Sequence, residues 1–393
     1  MSQLSYLEKL LDGVEVEWKQ LGEVAEIKRG TSITKRNVID GDVPVIAGGR
    51  SPAYYHNVSN RDGQTIVIAG SGAYAGFVSW WEQPIFVSDA FTVKPSKVLL
   101  ARYCYHFLLN MQQQLHEFKS GGGIPHVYPR DVAPILIPIP CPDNPEKSLA
   151  IQSEIVQILD KFTALTAELT AELNMRKKQY NYYRDKLLSF EEGEVEWKTL
   201  GEMAEYSKAR ICYTELDDSN YVGVESLLQN RAGRIDSTRT PDSGNLTQYN
   251  PDDILIGNIR PYLKKIWHAD RVGGTNGDVL VIHPTDTAIN PRYLYQVLAD
   301  DKFFEYNMQH AKGAKMPRGN KSKIMEYLVP IPFASNREKS LAEQERIVTI
   351  LDKFDALTNS ITEGLPREID LRQKQYEYYR DLLLSFPKSD EAA

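Results

Sequence analysis

The sequence predicts an α+β protein in which two small α/β domains are separated by two long, antiparallel, coiled-coil-like helices in a pseudo-two-fold tandem repeat. Two observations support this prediction. A unit of about 190 residues occurs twice. Within its nearly identical tail, apolar residues recur at the spacing of a helix that pairs with another helix. A chain of 393 residues is long enough for two or three domains, each with its own core.

Three blocks of the first unit return almost unchanged in the second. They are EVEWKQLGE (15–23) and EVEWKTLGE (194–202), LIPIPCPDNPEKSLAIQSEIVQILDKF (136–162) and LVPIPFASNREKSLAEQERIVTILDKF (328–354), and KQYNYYRDKLLSF (178–190) and KQYEYYRDLLLSF (374–386). The stretch between the first two blocks differs much more, so each unit is a variable domain followed by a shared tail. The segment YLEKLL at 6–11 is similar to the end of that tail. We therefore expect the N-terminus to lie beside the C-terminal helix.

The variable stretches show a fainter similarity that predicts one small α/β domain used twice. Alternating β-branched and aromatic residues at 65–80 and 254–267 indicate strands, and the helical periodicity at 101–118 and 291–308 indicates helices. The predicted divisions of the chain are an N-terminal segment at 1–18, a first domain at 19–145, a spacer helix at 146–192, a second domain at 193–335, a second spacer helix at 336–386 and a tail at 387–393.

Each shared tail predicts a spacer helix with an apolar seam. The prolines at its entry cannot be helical and mark its start. Gly364 and Pro366 are expected to interrupt the second helix. The predicted interface residues are Ile151, Ile155, Ile158, Phe162, Leu165, Leu169 and Leu173 in the first helix, and Ile347, Ile350, Phe354, Leu357, Ile361 and Leu365 in the second.

The first spacer helix contains the four-residue repeat TAELTAEL at 166–173. Four helical residues rise about 6 Å and turn about 400°, a net rotation near 40°. One B-DNA base pair turns roughly 34–36° and rises about 3.4 Å. One TAEL unit therefore changes length and twist by amounts close to base-pair steps, although Ala, Glu and Leu also form helices well without any such role.

The charge is unevenly distributed along the chain. Its formal net charge is −7, but residues 19–135 carry 12 Lys and Arg against 9 Asp and Glu, and residues 198–327 carry 17 of each. The excess of acidic residues therefore lies outside the variable domains. Domains that are nearly neutral bind the phosphate backbone weakly. If the chain binds DNA, we expect a partner protein to supply much of the positive charge.

No catalytic motif occurs in the sequence. It has no Asn/Asp-Pro-Pro-aromatic string of an adenine methyltransferase, no phosphate-binding loop of an ATP-driven motor, and no His or Cys spacing typical of a metal site. The three cysteines are scattered, which is typical of a reducing cytosol. No apolar stretch approaches the roughly 20 residues of a membrane span. We expect a cytoplasmic protein that is not an enzyme and holds neither a catalytic residue nor a metal.

This arrangement resembles the specificity subunits of type I restriction-modification enzymes (HsdS) over essentially the whole chain. PEKSLAIQSEIVQILDKF, the TAEL units and RKKQYNYYRDKLLSF are similar to the type IC group in particular. The resemblance implies that each variable domain is a target-recognition domain that reads half of a bipartite site in double-stranded DNA. It also implies that the spacer helices dock two methyltransferase (HsdM) subunits, to which restriction (HsdR) subunits attach. AdoMet, ATP and Mg²⁺ would then belong to those partner subunits.

Candidate DNA contacts lie in the loops of the two domains. Glycine lets the backbone approach a ligand closely, and arginine is the commonest reader of guanine, whereas lysine more often holds phosphate. The AGSGAYAG segment at 69–76 lacks nucleotide-binding spacing and is expected to be a hairpin turn. The candidate residues are Arg50, Ser71, Tyr74, His126, Tyr128 and Arg130 in the first domain, and Arg260, Tyr262, Lys264, Lys315, Arg318, Lys321 and Lys323 in the second.

Two other functions remain open from the sequence. A stand-alone DNA-binding regulator would have to bind DNA without a partner at physiological salt, which its charge disfavours. A protein-only coiled-coil adaptor would tolerate mutations in the domain loops with no effect on DNA methylation.

Overall fold

The computed structural model describes residues 6–121, 123–191 and 195–387. The chain divides into two compact units. Unit 1 comprises residues 1–166 together with 372–393, and unit 2 comprises residues 167–371. Each unit therefore contains one variable domain and parts of both predicted spacers. All of the predicted tail except Pro387 lies outside the described residues.

Unit 1 is built mainly from short strands and five short helices, together with the start of one long helix and the end of the C-terminal helix. Its elements in chain order are α1 (Tyr6–Leu11), β1 (Val16–Gln20), α2 (Leu21–Val24), β2 (Ala25–Arg29), β3 (Val43–Ile46), β4 (Tyr54–His56), β5 (Thr65–Ala69), β6 (Val78–Trp81), β7 (Phe86–Val87), β8 (Ala90–Pro95), α3 (Ala101–Asn110), α4 (Gln112–Glu117), α5 (Pro129–Val132), β9 (Leu136–Pro140) and the first part of α6 (Pro145–Leu187). A 3₁₀ helix spans Lys35–Asn37. The first strand begins at Val16, slightly before the predicted domain start.

Unit 2 repeats this order. After the second part of α6 it contains β10 (Val195–Thr199), α7 (Leu200–Met203), β11 (Ala204–Tyr206), β12 (Arg210–Cys212), β13 (Tyr221–Val222), β14 (Asn245–Tyr249), β15 (Ile254–Gly257), β16 (Ile266–His268), β17 (Gly273–Thr275), β18 (Val279–Pro284), α8 (Pro291–Leu298), α9 (Asp301–Gln309), α10 (Lys321–Met325), β19 (Leu328–Pro332), α11 (Arg337–Thr358) and the start of α12 (Gly364–Leu383). Short 3₁₀ helices span Tyr213–Glu215, Gln229–Arg231 and Pro261–Leu263. The predicted strands and helices of both domains are thus confirmed.

The main sheets of the two units correspond strand by strand, whereas the second sheet has three strands in unit 1 and four in unit 2. The main sheet has the order β2-β8-β5-β6 in unit 1 and β11-β18-β15-β16 in unit 2, antiparallel throughout. A second sheet, β4-β3-β7, packs beside it in unit 1, and its counterpart in unit 2 is β12-β14-β17-β13. The predicted hairpin after β5 is confirmed, because β5 and β6 pair directly.

In each unit the first and last strands of the domain pair as an antiparallel two-stranded ribbon, and the register of the pairing is the same in both units. Val16 lies opposite Pro140 in unit 1, and Val195 lies opposite Pro332 in unit 2. The prolines are tolerated because a two-stranded ribbon leaves one edge of each strand free of ladder bonds. The hydroxyl of Tyr103 donates to the Pro138 carbonyl at 3.1 Å. In this way each ribbon is attached to the first domain helix of its unit.

The shared tail packs on the domain of the other repeat. Tyr180, near the end of α6, and Leu188, directly after it, lie in the core of unit 2. The equivalent Tyr376 and Leu384, 196 residues later, lie in the core of unit 1. Leu11 of α1 lies in that same core. Helix α1 and the C-terminal helix therefore contribute to one core, which agrees with the predicted proximity of the two ends.

The first turns of each spacer helix belong to the domain that precedes it. Ile151 and Ile155 are buried in the core of unit 1, and Ile347 is buried in the core of unit 2. The side chain of Gln152 bonds to the backbone of Leu100 and Val98. These seam residues therefore face their own domain, and the sequence period missed Leu159 and Leu351, which are fully buried there.

Aromatic pairs join the two spacers further along. The rings of Phe162 and Tyr379 stack within unit 1 at 5.2 Å, and those of Phe354 and Tyr180 stack within unit 2 at 5.7 Å. Of the remaining predicted seam residues, Ile158, Leu169, Leu173, Ile350, Leu357 and Leu365 are partly buried, whereas Leu165 is exposed. Their pairing across the middle of the spacers stays a prediction.

The second spacer is two helices, as the predicted interruption requires, but the break lies at residues 359–363. Ile361 lies in this break and is 40% exposed, so it is not in a helix as expected, and its role as an interface residue stays a prediction. Gly364 is the first residue of α12 and has a φ of +71. Its backbone lies so close to Ala356 that an added Cβ would be 2.3 Å from the Ala356 carbonyl oxygen. Pro366 lies in the first turn of α12, where its missing N–H costs nothing.

Within the described residues, no helix is long and apolar enough to cross a membrane.

Candidate nucleic-acid interface

In unit 1 the two predicted loops form one backbone arrangement. Ser120 and His126 exchange both backbone hydrogen bonds, at 3.0 and 2.8 Å, which closes a hairpin after α4. The N–H of Gly72 donates to the Pro125 carbonyl at 2.9 Å, and the N–H of Val127 donates to Gly70 at 3.1 Å. The hairpin is therefore fastened to the turn that follows β5.

Unit 2 contains the same arrangement. Lys312 and Arg318 exchange hydrogen bonds at 2.9 and 2.8 Å. The N–H of Arg260 donates to the Pro317 carbonyl at 2.7 Å, and that of Gly319 donates to Asn258 at 3.1 Å. We call this the loop–hairpin frame, which comprises 70–72 and 120–127 (residue 122 not described) in unit 1, and 258–260 and 312–319 in unit 2.

The frames match residue by residue in their backbone but not in their side chains. The hairpin residues are related by an offset of 192 and the loop residues by 188. Gly121 and Gly313 have φ angles of 110° and 100°, which favour glycine at both positions. The equivalent pairs are Ser71 and Ile259, Gly72 and Arg260, Ser120 and Lys312, Ile124 and Met316, and His126 and Arg318. A fixed backbone that presents changed side chains is suited to reading two different ligands of one type.

The hairpin of unit 1 is followed by a stack of rings and guanidinium groups. The rings of His126 and Tyr128 are parallel at 5.8 Å. Arg29 and Arg130 both lie over Tyr128, at 5.3 and 4.7 Å from its centroid. Arg130 is highly exposed, so this stack presents positive charge and aromatic surface together.

A second cationic contact lies on the turn after β5. Arg50 lies 4.8 Å from the centroid of Tyr74, whose ring is exposed. Ser71 is different, because it is only 8% exposed and its hydroxyl donates to Asp89. This geometry gives Ser71 a supporting position behind the surface.

The frame of unit 1 borders a cleft of about 580 Å³. Arg29, Asp89, His126 and Tyr128 contribute to its lining. Arg29 and Asp89 were missed by the sequence interpretation. Aligning FVSDAFTVKP (86–95) with TNGDVLVIHP (275–284) places Asp89 opposite Asp278, and this signal could have found both carboxylates.

Asp278 holds the equivalent place in unit 2. Its carbonyl accepts from Asn258 at 2.8 Å, as that of Asp89 accepts from Gly70 at 3.1 Å. Its carboxylate accepts from the guanidinium of Arg318 at 3.4 Å. Arg318 remains 54% exposed, so its other N–H groups face solvent.

The other candidates of unit 2 differ in availability. Tyr262, Lys315 and Arg260 are exposed, and Arg260 has a left-handed backbone (φ 54°). Lys321 lies 5.9 Å from the centroid of Tyr206, and Lys323 pairs with Glu326 at 2.5 Å.

Lys264 forms an ion pair with another residue of its own domain. Its ammonium group donates to Asp301 at 2.8 Å, beside Arg231, which donates to the same carboxylate at 2.5 Å. Burial alone would raise the pKa of Asp301, but these two cations lower it below its ordinary value. The positive charge of Lys264 is therefore largely compensated within the fold.

A second cleft, of about 700 Å³, lies in unit 2 away from the frame. Its arginines are paired with nearby carboxylates, such as Arg271 with Asp270 at 2.6 Å and Arg292 with Asp352 at 2.8 Å. His268 also lines it, and burial lowers its pKa to about 4. No group of three His, Cys, Asp or Glu able to hold a metal occurs among the described residues.

The sequence pattern of the family described as "Type I restriction modification DNA specificity domain" matches residues 13–176 and again residues 192–371. The chain belongs to this family of specificity subunits. The two matched segments coincide with the two variable domains and most of their tails, so the tandem repeat is a repeat of this domain. Specificity subunits are the DNA-recognition component of type I restriction-modification systems.

Two named relatives are similar to this chain over nearly the whole length of both proteins. The chain is 37% identical to the "Type I restriction enzyme EcoR124I/EcoR124II specificity subunit" of Escherichia coli, covering 99% of both chains. It is 30% identical to a putative type I specificity subunit of Haemophilus influenzae, covering 97% of this chain and 98% of the relative.

Solved structures show the same fold at low sequence identity. The specificity subunit of a type I system from M. genitalium matches with a TM-score of 0.65 at 16% identity, covering 96% of this chain and 98% of that one. A chain from a structure titled as the basis of complex assembly and conformational transition of the type I system matches with a TM-score of 0.51 at 15% identity, covering 94% and 97%.

Proposed function

We propose that this specificity subunit reads a bipartite target in double-stranded DNA, with one half-site read by each unit. The observation that carries the proposal is the loop–hairpin frame, in which the same backbone presents different side chains in the two units. Side chains that differ on one constant backbone read different sequences in the same groove geometry. The exposed Arg130 and Arg318 lie on or beside the frames and supply suitable donors.

The spacer helices would fix the distance between the half-sites. α6 is continuous from Pro145 to Leu187 and contains both TAEL units. A continuous helix converts each inserted or deleted residue into a fixed rise and rotation. The length of the unread gap in the target therefore depends on the number of TAEL units.

The subunit would work inside a larger enzyme and have no catalytic role of its own. We assign AdoMet to two methyltransferase subunits docked on the spacers, and ATP and Mg²⁺ to restriction subunits. The charge supports such a partnership, because domains of nearly neutral charge gain little from neutralising phosphates and depend on partners for affinity.

Methyladenine mapping tests this proposal. The chain is expressed with a type IC methyltransferase subunit in a host that lacks this methylation, and the same host without the chain is the control. We expect a new bipartite motif that appears only with the chain. No motif, although the complex assembles and the partner works with another specificity subunit, would refute DNA reading and favour the adaptor.

DNA binding by the isolated chain distinguishes the proposed function from the remaining alternative, a stand-alone DNA-binding regulator. We expect its affinity for target and random duplexes to be similar and weak at physiological salt, with the methyltransferase subunit restoring discrimination. Tight, selective binding by the chain alone would favour a stand-alone regulator.

A further inference from the structure

Resting on the proposed function, we propose that the equivalent residues His126 and Arg318 read bases of opposite hydrogen-bonding character. His126 accepts a hydrogen bond from the exocyclic amino group of adenine or cytosine in one half-site. Arg318, oriented by Asp278, donates to guanine in the other.

The acceptor character of His126 follows from the hydrogen bond that its other ring nitrogen makes. Its Nδ1 lies 2.8 Å from the carbonyl oxygen of Ile124. A carbonyl only accepts, so Nδ1 carries the proton. In the neutral imidazole, Nε2 is then left as an acceptor. In the major groove, the donors that match an acceptor are adenine N6 and cytosine N4.

Arg318 has the opposite character because a guanidinium group only donates. One of its terminal nitrogens donates to Asp278 at 3.4 Å, which favours one orientation of the planar group, while the side chain remains 54% exposed. Guanine presents two acceptors, O6 and N7, in the geometry of such a fork. A neighbouring carboxylate also repels phosphate, which favours base contact over backbone contact at this position.

A carboxylate lies beside each of the two frames. Asp89, equivalent to Asp278, accepts from Ser71, which is bridged to His126 in the backbone. The same acidic residue thus supports the hairpin in unit 1 and orients the cationic reader in unit 2. Asp278 is a positioning residue, since it acts through Arg318.

The test maps methyladenine for variants of the full chain co-expressed with the methyltransferase subunit. For Arg318→Ala we expect discrimination in favour of one guanine of a single half-site to fall about tenfold or more, the order of a good bidentate contact. The other half-site stays unchanged. Arg271→Ala is the matched control, because Arg271 is also exposed and paired with an aspartate but lies outside the frame. Its motif stays that of the wild-type chain.

The substitution His126→Arg replaces the proposed acceptor by a donor and so tests the hydrogen-bonding character of this position directly. We expect one position of the other half-site to change its preference from adenine or cytosine to guanine. A wild-type half-site with no G·C pair at the position altered by Arg318→Ala, or an unchanged motif in both variants, overturns the inference while the proposed function stands. A wild-type complex that writes no motif refutes the proposed function itself, and the inference with it.

A double variant tests the role of Asp278. Asp278→Asn should weaken discrimination at the guanine that Arg318 reads, and should add nothing when Arg318 is already alanine. Asp270→Asn removes the same charge outside the frame and serves as the control. An additive loss in the double variant, or a uniform gain of methylation at all sites from Asp278→Asn, would contradict positioning through Arg318.

Discussion

Replacing Arg184 by alanine is expected to destabilise unit 2 much more than replacing the equivalent Arg380 destabilises unit 1. Arg184 is 3% exposed, and its guanidinium donates to the Ala299 carbonyl at 3.0 Å, to Gln296 at 3.1 Å and to Tyr180. Arg380, 196 residues later in the same tail motif, has a side chain that is 19% exposed and donates to the exposed Asp381 at 2.8 Å.

The magnitude follows from what each deletion leaves behind. Hydrogen bonds from a buried charged group contribute about 1.5–3 kcal/mol each. The Ala299 carbonyl still accepts from Arg231 at 2.9 Å and Gln296 still accepts from Tyr180 at 3.3 Å, so the losses are partly compensated. We therefore expect Arg184→Ala to cost about 2–4 kcal/mol, because stem packing is also lost. Arg380→Ala should cost only about 1 kcal/mol, because its ion pair is made with the exposed Asp381, although some stem packing is also lost.

Hydrogen exchange measured by mass spectrometry suits this comparison, because the two units need not unfold together. Protection in α8 and at the end of α6 should fall by about 30-fold to 1,000-fold in Arg184→Ala, since about 1.4 kcal/mol corresponds to tenfold. Protection in α3 should fall less than about tenfold in Arg380→Ala. Equal losses in the two variants would refute the reasoning from burial.

Two further predictions concern stability. Gly364→Ala should lower the free energy of unfolding by about 2 kcal/mol or more, because a Cβ at φ +71 would lie 2.3 Å from the Ala356 carbonyl oxygen. Hydrogen exchange of residues 356–366 measures this loss. The control Gly63→Ala, at φ +69 with nothing within 4 Å of the added Cβ, should cost only about 1 kcal/mol. Equal effects at both glycines would show that the close approach is unimportant. The folded pKa of His268, about 4, lies below its ordinary value of 6.5. Its contribution to the free energy of unfolding is therefore fully present above pH 6.5, and up to about 3 kcal/mol of it is lost as the pH falls to 4. Urea denaturation between pH 4 and 7 should show a flatter dependence for His268→Gln, and an unchanged slope would contradict the assignment.

The fold was largely predictable because the duplication repeats the same pattern twice. The ribbon, the main sheet and the domain helices all fall where the two copies agree. The packing of the tail on the opposite domain was not predictable, because Tyr180 and Tyr376 are buried by residues more than 100 positions away. The helical period also placed Ile361 in a helix, whereas residues 359–363 form a break that ends at Gly364, where the backbone has a left-handed φ close to the end of α11.

The candidate interface was predictable as loops but not as side-chain contacts. His126 and Arg318 were found because glycine and basic residues mark their hairpins. The sequence did not reveal that Asp89 engages Ser71 or that Asp301 engages Lys264, because these carboxylates come from other segments of the chain. Tertiary ion pairs of this kind decide which basic residues remain available to a ligand.

Deletion of Thr166–Leu169, one TAEL unit of α6, tests the central claim most directly. The change keeps the predicted seam of α6 in register and leaves both loop–hairpin frames untouched, so methyladenine mapping should recover the same two half-sites. Their gap should be shorter by one or two base pairs, since the helix loses about 6 Å and a net rotation near 40°. A changed half-site, or an unchanged gap with full methylation, would contradict the account of two readers held apart by a helical spacer.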